Sequence, residues 1–290
     1  MSDPDSRIFS PSVIQDLFAI WNRFPDAVLY AGGIEHIRNH TRSTRSPETI
    51  ISLAKIEELR KISRTERYLE IGAMVKLNQI INLGKIVPDA LIRCLECVAG
   101  PQLRNMATIG GNLCNASRRL DASAPMIALD AQFELRTAQS SRWIAAARFS
   151  SLPGPPVLAP QEIMTRIRVP FEPWNLTWYR KFRSTGINEP GGGTLIILRN
   201  QKDILTNIRV VYSGQIILRE KNSETILAGK KLPLERRDAT AFMERWKNYL
   251  AVYEGNEDSI FPTGAGKANP KLLKAQILNY IESTLMSISY

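Results

Sequence analysis

Two glycine pairs and one isolated acid are the residues of this 290-residue chain whose types and spacing point to chemistry. The first pair lies in Tyr30-Ala31-Gly32-Gly33-Ile34-Glu35, the second in Thr108-Ile109-Gly110-Gly111-Asn112-Leu113-Cys114, and the acid is Asp121. Glycine has no Cβ, so a ligand can approach its backbone closely and the chain can take positive φ. Successive N–H groups in such a turn form a concave nest for phosphate oxygens. Two such turns predict a pyrophosphate held from two sides. A lone Gly-Gly pair also serves to relieve strain in a tight loop, so the surrounding pattern has to decide.

The rest of the chain offers no competing chemistry. It contains no Ser/His/Asp or Cys/His set, no paired acids at recognisable spacing and no P-loop, so no catalytic residue is assigned. The run Gly191-Gly192-Gly193 lacks the following Lys-Ser/Thr of a nucleotide loop and reads as a flexible turn. His36 and His40, the only histidines, have no cysteine or carboxylate at metal-ligand spacing and read as surface loop residues; no metal is expected. Cys94-x-x-Cys97 sits in an apolar helical pattern that predicts two buried core thiols. With Cys114 the chain has three cysteines, which can neither build a disulfide framework nor hold a four-cysteine iron–sulfur cluster.

The glycine pairs need rigid elements to hold them. Apolar residues at Val13, Ile14, Leu17, Phe18 and Trp21 predict a helix over 10–24, with Ser10 as its cap and Pro11 as its first residue. A strand over 27–31 then delivers Gly32. Strands over 49–53 and 67–74 follow, with a short helix through Ile56, Leu59 and Ile62 between them and helices over 77–83 and 89–98 after. Beyond Asp121 come a helix over 124–129, strands over 132–137, 142–146 and 161–170, and a proline-rich loop at 153–156. Pro170 and Pro173 mark a boundary, after which strands over 194–199, 205–212 and 215–219 predict an antiparallel meander backed by helices over 223–228, 236–249 and from Pro270.

Composition is that of a globular protein, 44% hydrophobic and 23% charged, without an apolar run of membrane-spanning length. The polar N-terminus lacks a signal-peptide pattern, and cytoplasmic location is expected. The net charge of +10 is scattered apart from Arg38, Arg42 and Arg45 and the pair Arg118-Arg119, which argues against a nucleic-acid stripe and for a solvated surface or a face for an anionic cofactor.

The run Arg104 to Leu113, followed by Asn115-Ala116-Ser117 and by Asp121 to Ala131, resembles the FAD-binding medium subunit of molybdenum hydroxylases, the xanthine dehydrogenase and carbon monoxide dehydrogenase type. Leu69 to Ala73, Gln161 to Pro170 and Trp178 to Arg183 extend the resemblance. It implies an α+β fold: two α/β FAD-binding subdomains of the PCMH or vanillyl-alcohol-oxidase kind, over about 1–60 and 61–172, and a C-terminal domain, 173–290, with a small antiparallel sheet packed by helices. It implies cofactor contacts at Ala31, Gly32, Gly33, Ile34 and Glu35 in the first turn and at Thr108, Gly110, Gly111, Asn112 and Cys114 in the second. Asp121 would accept from ribose or ribityl hydroxyls, Ile163 and Met164 would lie against the flavin, and Lys181 would stand near the isoalloxazine. The sequence departs from the family at Ile34, where a hydroxyl is usual, at His36, and at Arg118-Arg119-Leu120. The implied function is transfer of electrons from the iron–sulfur clusters of a partner subunit through FAD to an acceptor such as NAD or a quinone, beside a molybdenum-cofactor subunit. The alternatives are a flavin-free relative bridging partner subunits, which would be colourless after reconstitution, and a nucleic-acid-binding module.

Overall fold

A computed structural model of the chain describes residues 7–40, 47–115, 121–150, 156–182, 192–214, 216–252 and 270–288. The expected loop at 153–155 and the departure at Arg118-Arg119-Leu120 lie outside them. The fold is α+β, and its described strands form three sheets.

The first unit is β1 (Arg7–Phe9), α1 (Ile14–Arg23), β2 (Val28–Tyr30), α2 (Ile34–His40) and β3 (Thr49–Ser52), with β3 central and parallel to both neighbours. Ser10 and Pro11 do not start α1: Val13 precedes its first turn without a side-chain cap, and Ile14, Leu17 and Phe18 carry it by burying one face against the sheet. Two expectations change here. The segment after Gly33 is helix rather than loop, and Ile62 belongs to a strand, because only Glu57–Arg60 forms the short helical turn that precedes it.

The second unit contains β4 (Ile62–Arg64), β5 (Tyr68–Gly72), α3 (Leu77–Asn82), α4 (Asp89–Glu96), α5 (Pro101–Met106), α6 (Ile109–Leu113), α7 (Ser123–Ala128), β6 (Gln132–Arg136), β7 (Ser141–Ala145), α8 (Ala146–Phe149) and β8 (Ile163–Pro170). Its antiparallel sheet runs β4-β5-β8-β6-β7, with the helices over one face. Ile167 and Val169 point into that core by strand alternation. A bulge opposite Glu134 and Leu135 breaks the alternation, so that Met164 enters the same core while Ile163 enters the core of the first unit. The last strand therefore ties the two cores together.

The opposite face of this sheet carries charge. Burial pushes the Glu70 carboxyl up, but hydrogen bonds from Arg168 and Arg166 outweigh it and leave it below the ordinary glutamate value of 4.5. Arg142 holds Glu162 below 4.5 through two hydrogen bonds of 2.7 and 2.8 Å, helped by the Ala159 N–H. A carboxyl depressed on folding stabilises fully above its unfolded value and loses that stability as pH falls through the folded one. Urea midpoints are therefore expected to drop as pH descends below 4.5, and to drop less steeply in Glu162→Gln.

The third unit is the expected meander with one more strand: β9 (Leu176–Lys181), β10 (Gly193–Gln201), β11 (Ile204–Ser213) and β12 (Ile217–Leu218), backed by α9 (Lys221–Leu227), α10 (Arg236–Ala251) and α11 (Pro270–Ile288). Leu195 to Leu198 is an unbroken apolar run because the sheet is covered on both faces. Leu195, Ile197 and Val211 pack with the second unit's core, whereas Ile196, Leu198 and Val210 pack among residues of α10 and α11.

Candidate functional site

Strand β2 ends at Tyr30 and the chain turns through Gly32-Gly33 into α2. Gly33 has φ of 76°, a conformation that L side chains avoid, and a Cβ there would strike the Tyr30 hydroxyl. The first turn of α2 leaves N–H groups without intrahelical partners, as every helix does. His36 is not a surface loop residue: its ring stacks on Tyr30 at 5.5 Å and its Nε2 lies 3.0 Å from the Leu29 carbonyl oxygen. Ala31, Ile34 and Glu35 are half-buried around the same turn.

Gly32 faces the second glycine segment directly. A Cβ on it would run into the Met106 carbonyl oxygen, two residues before Thr108. The segments carrying the two glycine pairs, 78 positions apart, are thus brought together backbone to backbone.

The second turn is built differently from the expected phosphate nest. Gly110 and Gly111 lie inside α6 without positive φ, with Thr108 as N-cap. Gly110 is small because it packs on Ala73, whose Cβ and carbonyl oxygen would stand 2.7 and 2.8 Å from an added Cβ. Its N–H groups are already committed: Ile109 donates to Val75, Gly110 to Ala73, Gly111 to the Thr108 hydroxyl and Asn112 to the Thr108 carbonyl. What this turn can offer a ligand is side chains. Asn112 is 5% exposed, and its Oδ1 has no hydrogen-bond partner among the described residues.

Asp121 sits just before α7 and accepts from partners on β9: the Tyr179 hydroxyl at 2.7 Å and Lys181 Nζ at 2.9 Å. Lys181 Nζ also donates to the Cys97 carbonyl oxygen at 2.9 Å. Burial and the Asp121 carboxylate push the Tyr179 phenol far above its ordinary value, so it stays a donor. Tyr179 escaped sequence reasoning, although strand alternation placed it beside Lys181 on the same face. The far end of α7 is clamped by the third sheet, where Arg209 donates to the Ala128 carbonyl and Arg219 to the Ile127 carbonyl.

Cys94 is buried as expected, but Cys97 caps the end of α4 and is exposed. Cys114 is partly exposed as a residue, while desolvation pushes its thiol up to about 12. Ile163 and Met164 are adjacent but buried in separate cores. Among the described residues no group of three His, Cys, Asp or Glu could hold a metal ion, and no helix is long and apolar enough to cross a membrane.

A family model described as the FAD binding domain in molybdopterin dehydrogenase matches residues 4–172. The nicotinate dehydrogenase FAD-subunit of Eubacterium barkeri is 28% identical over 249 residues, covering 81% of this chain and 84% of that protein. The carbon monoxide dehydrogenase medium chain of Hydrogenophaga pseudoflava is 27% identical over 247 residues, covering 83% and 86%. Xanthine dehydrogenase 2 of Arabidopsis thaliana is 28% identical over 77% of this chain, which spans 18% of that protein's length. Among solved structures, carbon monoxide dehydrogenase from Hydrogenophaga pseudoflava shares the fold with a TM-score of 0.82 at 24% identity, covering 99% of this chain and 98% of that one. Quinoline 2-oxidoreductase from Pseudomonas putida 86 does so with a TM-score of 0.80 at 20% identity over the whole of both chains.

Proposed function

Since this chain belongs to the family of FAD-binding domains of molybdopterin dehydrogenases, we propose that it is the flavin-carrying electron-transfer subunit of such a complex. It would receive electrons from the iron–sulfur clusters of one partner, beside a second partner that carries the molybdenum cofactor, and pass them to an acceptor such as NAD or a quinone. The domains of this reading are 1–172, with subdomains of about 1–60 and 61–172, and 173–290. Three unpaired cysteines suit a reducing compartment, and the cytoplasm is the proposed location.

The observation that carries the reading is the meeting of Gly32 with the segment before Thr108. The residues present fit FAD. Gly32 and Gly33 have no room for a Cβ and so let the first turn close on the Met106 segment, Asn112 offers a buried acceptor without a partner among the described residues, and the Asp121 oxygens retain lone pairs for ligand hydroxyls beyond the bonds from Tyr179 and Lys181. FAD supplies the redox chemistry when bound. The protein's part is positioning: Ala31, Gly32, Gly33, Ile34 and Glu35 would border the phosphates, and Thr108, Gly110, Gly111, Asn112 and Cys114 would shape the facing wall. Lys181, held by Asp121, would stand near the flavin ring. Ile163 and Met164 would lie on the flavin's side of the two cores that they join.

Purified protein incubated with FAD and desalted is expected to keep a flavin absorption spectrum that dithionite bleaches. A folded protein that stays colourless at high FAD would sink this reading and return the chain to the role of a structural bridge.

A further inference from the structure

Lys76 is a half-buried cation for which the contacts so far described give no charge partner. It pairs with Thr108 in an antiparallel bridge, and its Nζ donates to the Met106 carbonyl oxygen at 2.8 Å. That oxygen is also the nearest atom to where a Gly32 Cβ would stand. The ammonium therefore marks the point where the two glycine segments meet. Its backbone N–H is taken up by the Gln79 side chain at 3.0 Å, and among the described residues no carboxylate forms an ion pair with it. Burial and the neighbouring Arg60 cation both hold its proton affinity below the ordinary lysine value of 10.5. A partly desolvated cation with no acid of its own gains when an anion arrives.

The state of α6 says which anion. The backbone donors of Ile109, Gly110, Gly111 and Asn112 are spent inside the protein, so on this side of the site positive charge has to come from a side chain. Lys76 is placed to supply it. We propose that Lys76 Nζ is the charged contact for the diphosphate of the bound dinucleotide on the α6 side, an assignment that rests on the FAD reading above. The Met106 carbonyl orients the ammonium, which keeps two further N–H donors for phosphate oxygens.

Flavin fluorescence titration of the full chain with FAD tests this at several salt concentrations. Lys76→Met is expected to weaken FAD by about tenfold to a hundredfold, the range of a charge-assisted hydrogen bond, and to flatten the dependence on salt. Lys76→Arg, which keeps the charge, is expected to bind within about threefold of the unchanged protein. The cofactor-free variants should melt close to the unchanged protein. Lys76→Met that binds FAD as tightly as the parent, or Met and Arg variants that lose affinity equally, would overturn the assignment while leaving FAD binding standing. A parent chain that binds no FAD would overturn both.

Discussion

Gly110→Val is expected to destabilise the protein by about 3 kcal/mol and to abolish retention of FAD after desalting. The added Cβ would stand 2.7 Å from the Ala73 Cβ and 2.8 Å from its carbonyl oxygen, and the latter atom accepts the Gly110 N–H. Neither can retreat easily. Ala73 lies at the end of β5 within the second core, and its own N–H donates to Thr165 on β8. Replacing a helical glycine gains about 0.5 to 1 kcal/mol of propensity at most, too little to offset such overpacking. The neighbouring glycine is the control. A Cβ on Gly111 would meet only the Thr108 hydroxyl at 2.8 Å, on the exposed side of α6. Gly111→Ala risks about 1 kcal/mol of cap strength and recovers about the same in propensity, so its urea midpoint should lie near that of the parent. Equal losses of stability in both variants would overturn the account in which close packing on Ala73 sets Gly110 apart.

Arg219→Met is expected to cost about 3 to 5 kcal/mol of unfolding free energy, measured by urea denaturation. Arg219 and Glu224 form two hydrogen bonds of 2.9 Å each, and both side chains are only 10% exposed. Removing the guanidinium leaves a buried carboxylate without its partner and takes away the donor to the Ile127 carbonyl. The penalty belongs to the orphaned charge more than to the pair itself. The double variant Arg219→Met with Glu224→Leu should therefore recover most of the loss, since apolar replacement of both buried partners is often nearly neutral. Arg60→Met, which breaks the exposed pair with Glu57, should change stability by no more than about 0.5 kcal/mol. If the double variant is as unstable as the single one, the clamp on α7 matters through packing and the electrostatic account is wrong.

Much of the fold was legible because helical and strand periods were clear. Val13 to Trp21, Asp89 to Val98 and the strands after Pro173 all formed elements close to the expected bounds. The misreadings have local causes. Gly110-Gly111 read as a turn because glycine signals backbone freedom, yet here the absent Cβ serves close packing on Ala73 within a helix. Cys97 read as buried because the apolar pattern continued past Glu96, where the helix ends and its last turn swings the thiol outward. Ile163 and Met164, which the resemblance sets against the flavin, point oppositely as neighbours on a strand do, and the bulge assigns each to its own core. Within the site, Gly32 and Asp121 stood out by type. Lys76 did not, because a single lysine in sequence carries no sign that it forms no ion pair among the described residues.

The pairing of Asp121 with β9 also sets a timetable. Tyr179 and Lys181 lie 58 and 60 positions after Asp121, and the two arginines that grip α7 come later still. A ribosome adding ~5–20 residues per second needs roughly 3 to 12 seconds to bring those partners into existence. Throughout that interval the nascent chain holds both glycine segments and the carboxylate but not the strand that carries the partners of Asp121. Residues 4–172, the span that the family model matches, stop short of every one of those later contacts. Capture of the flavin is thus expected to follow the arrival of β9, and a chain ending before that strand is expected to retain less FAD after desalting than the full one.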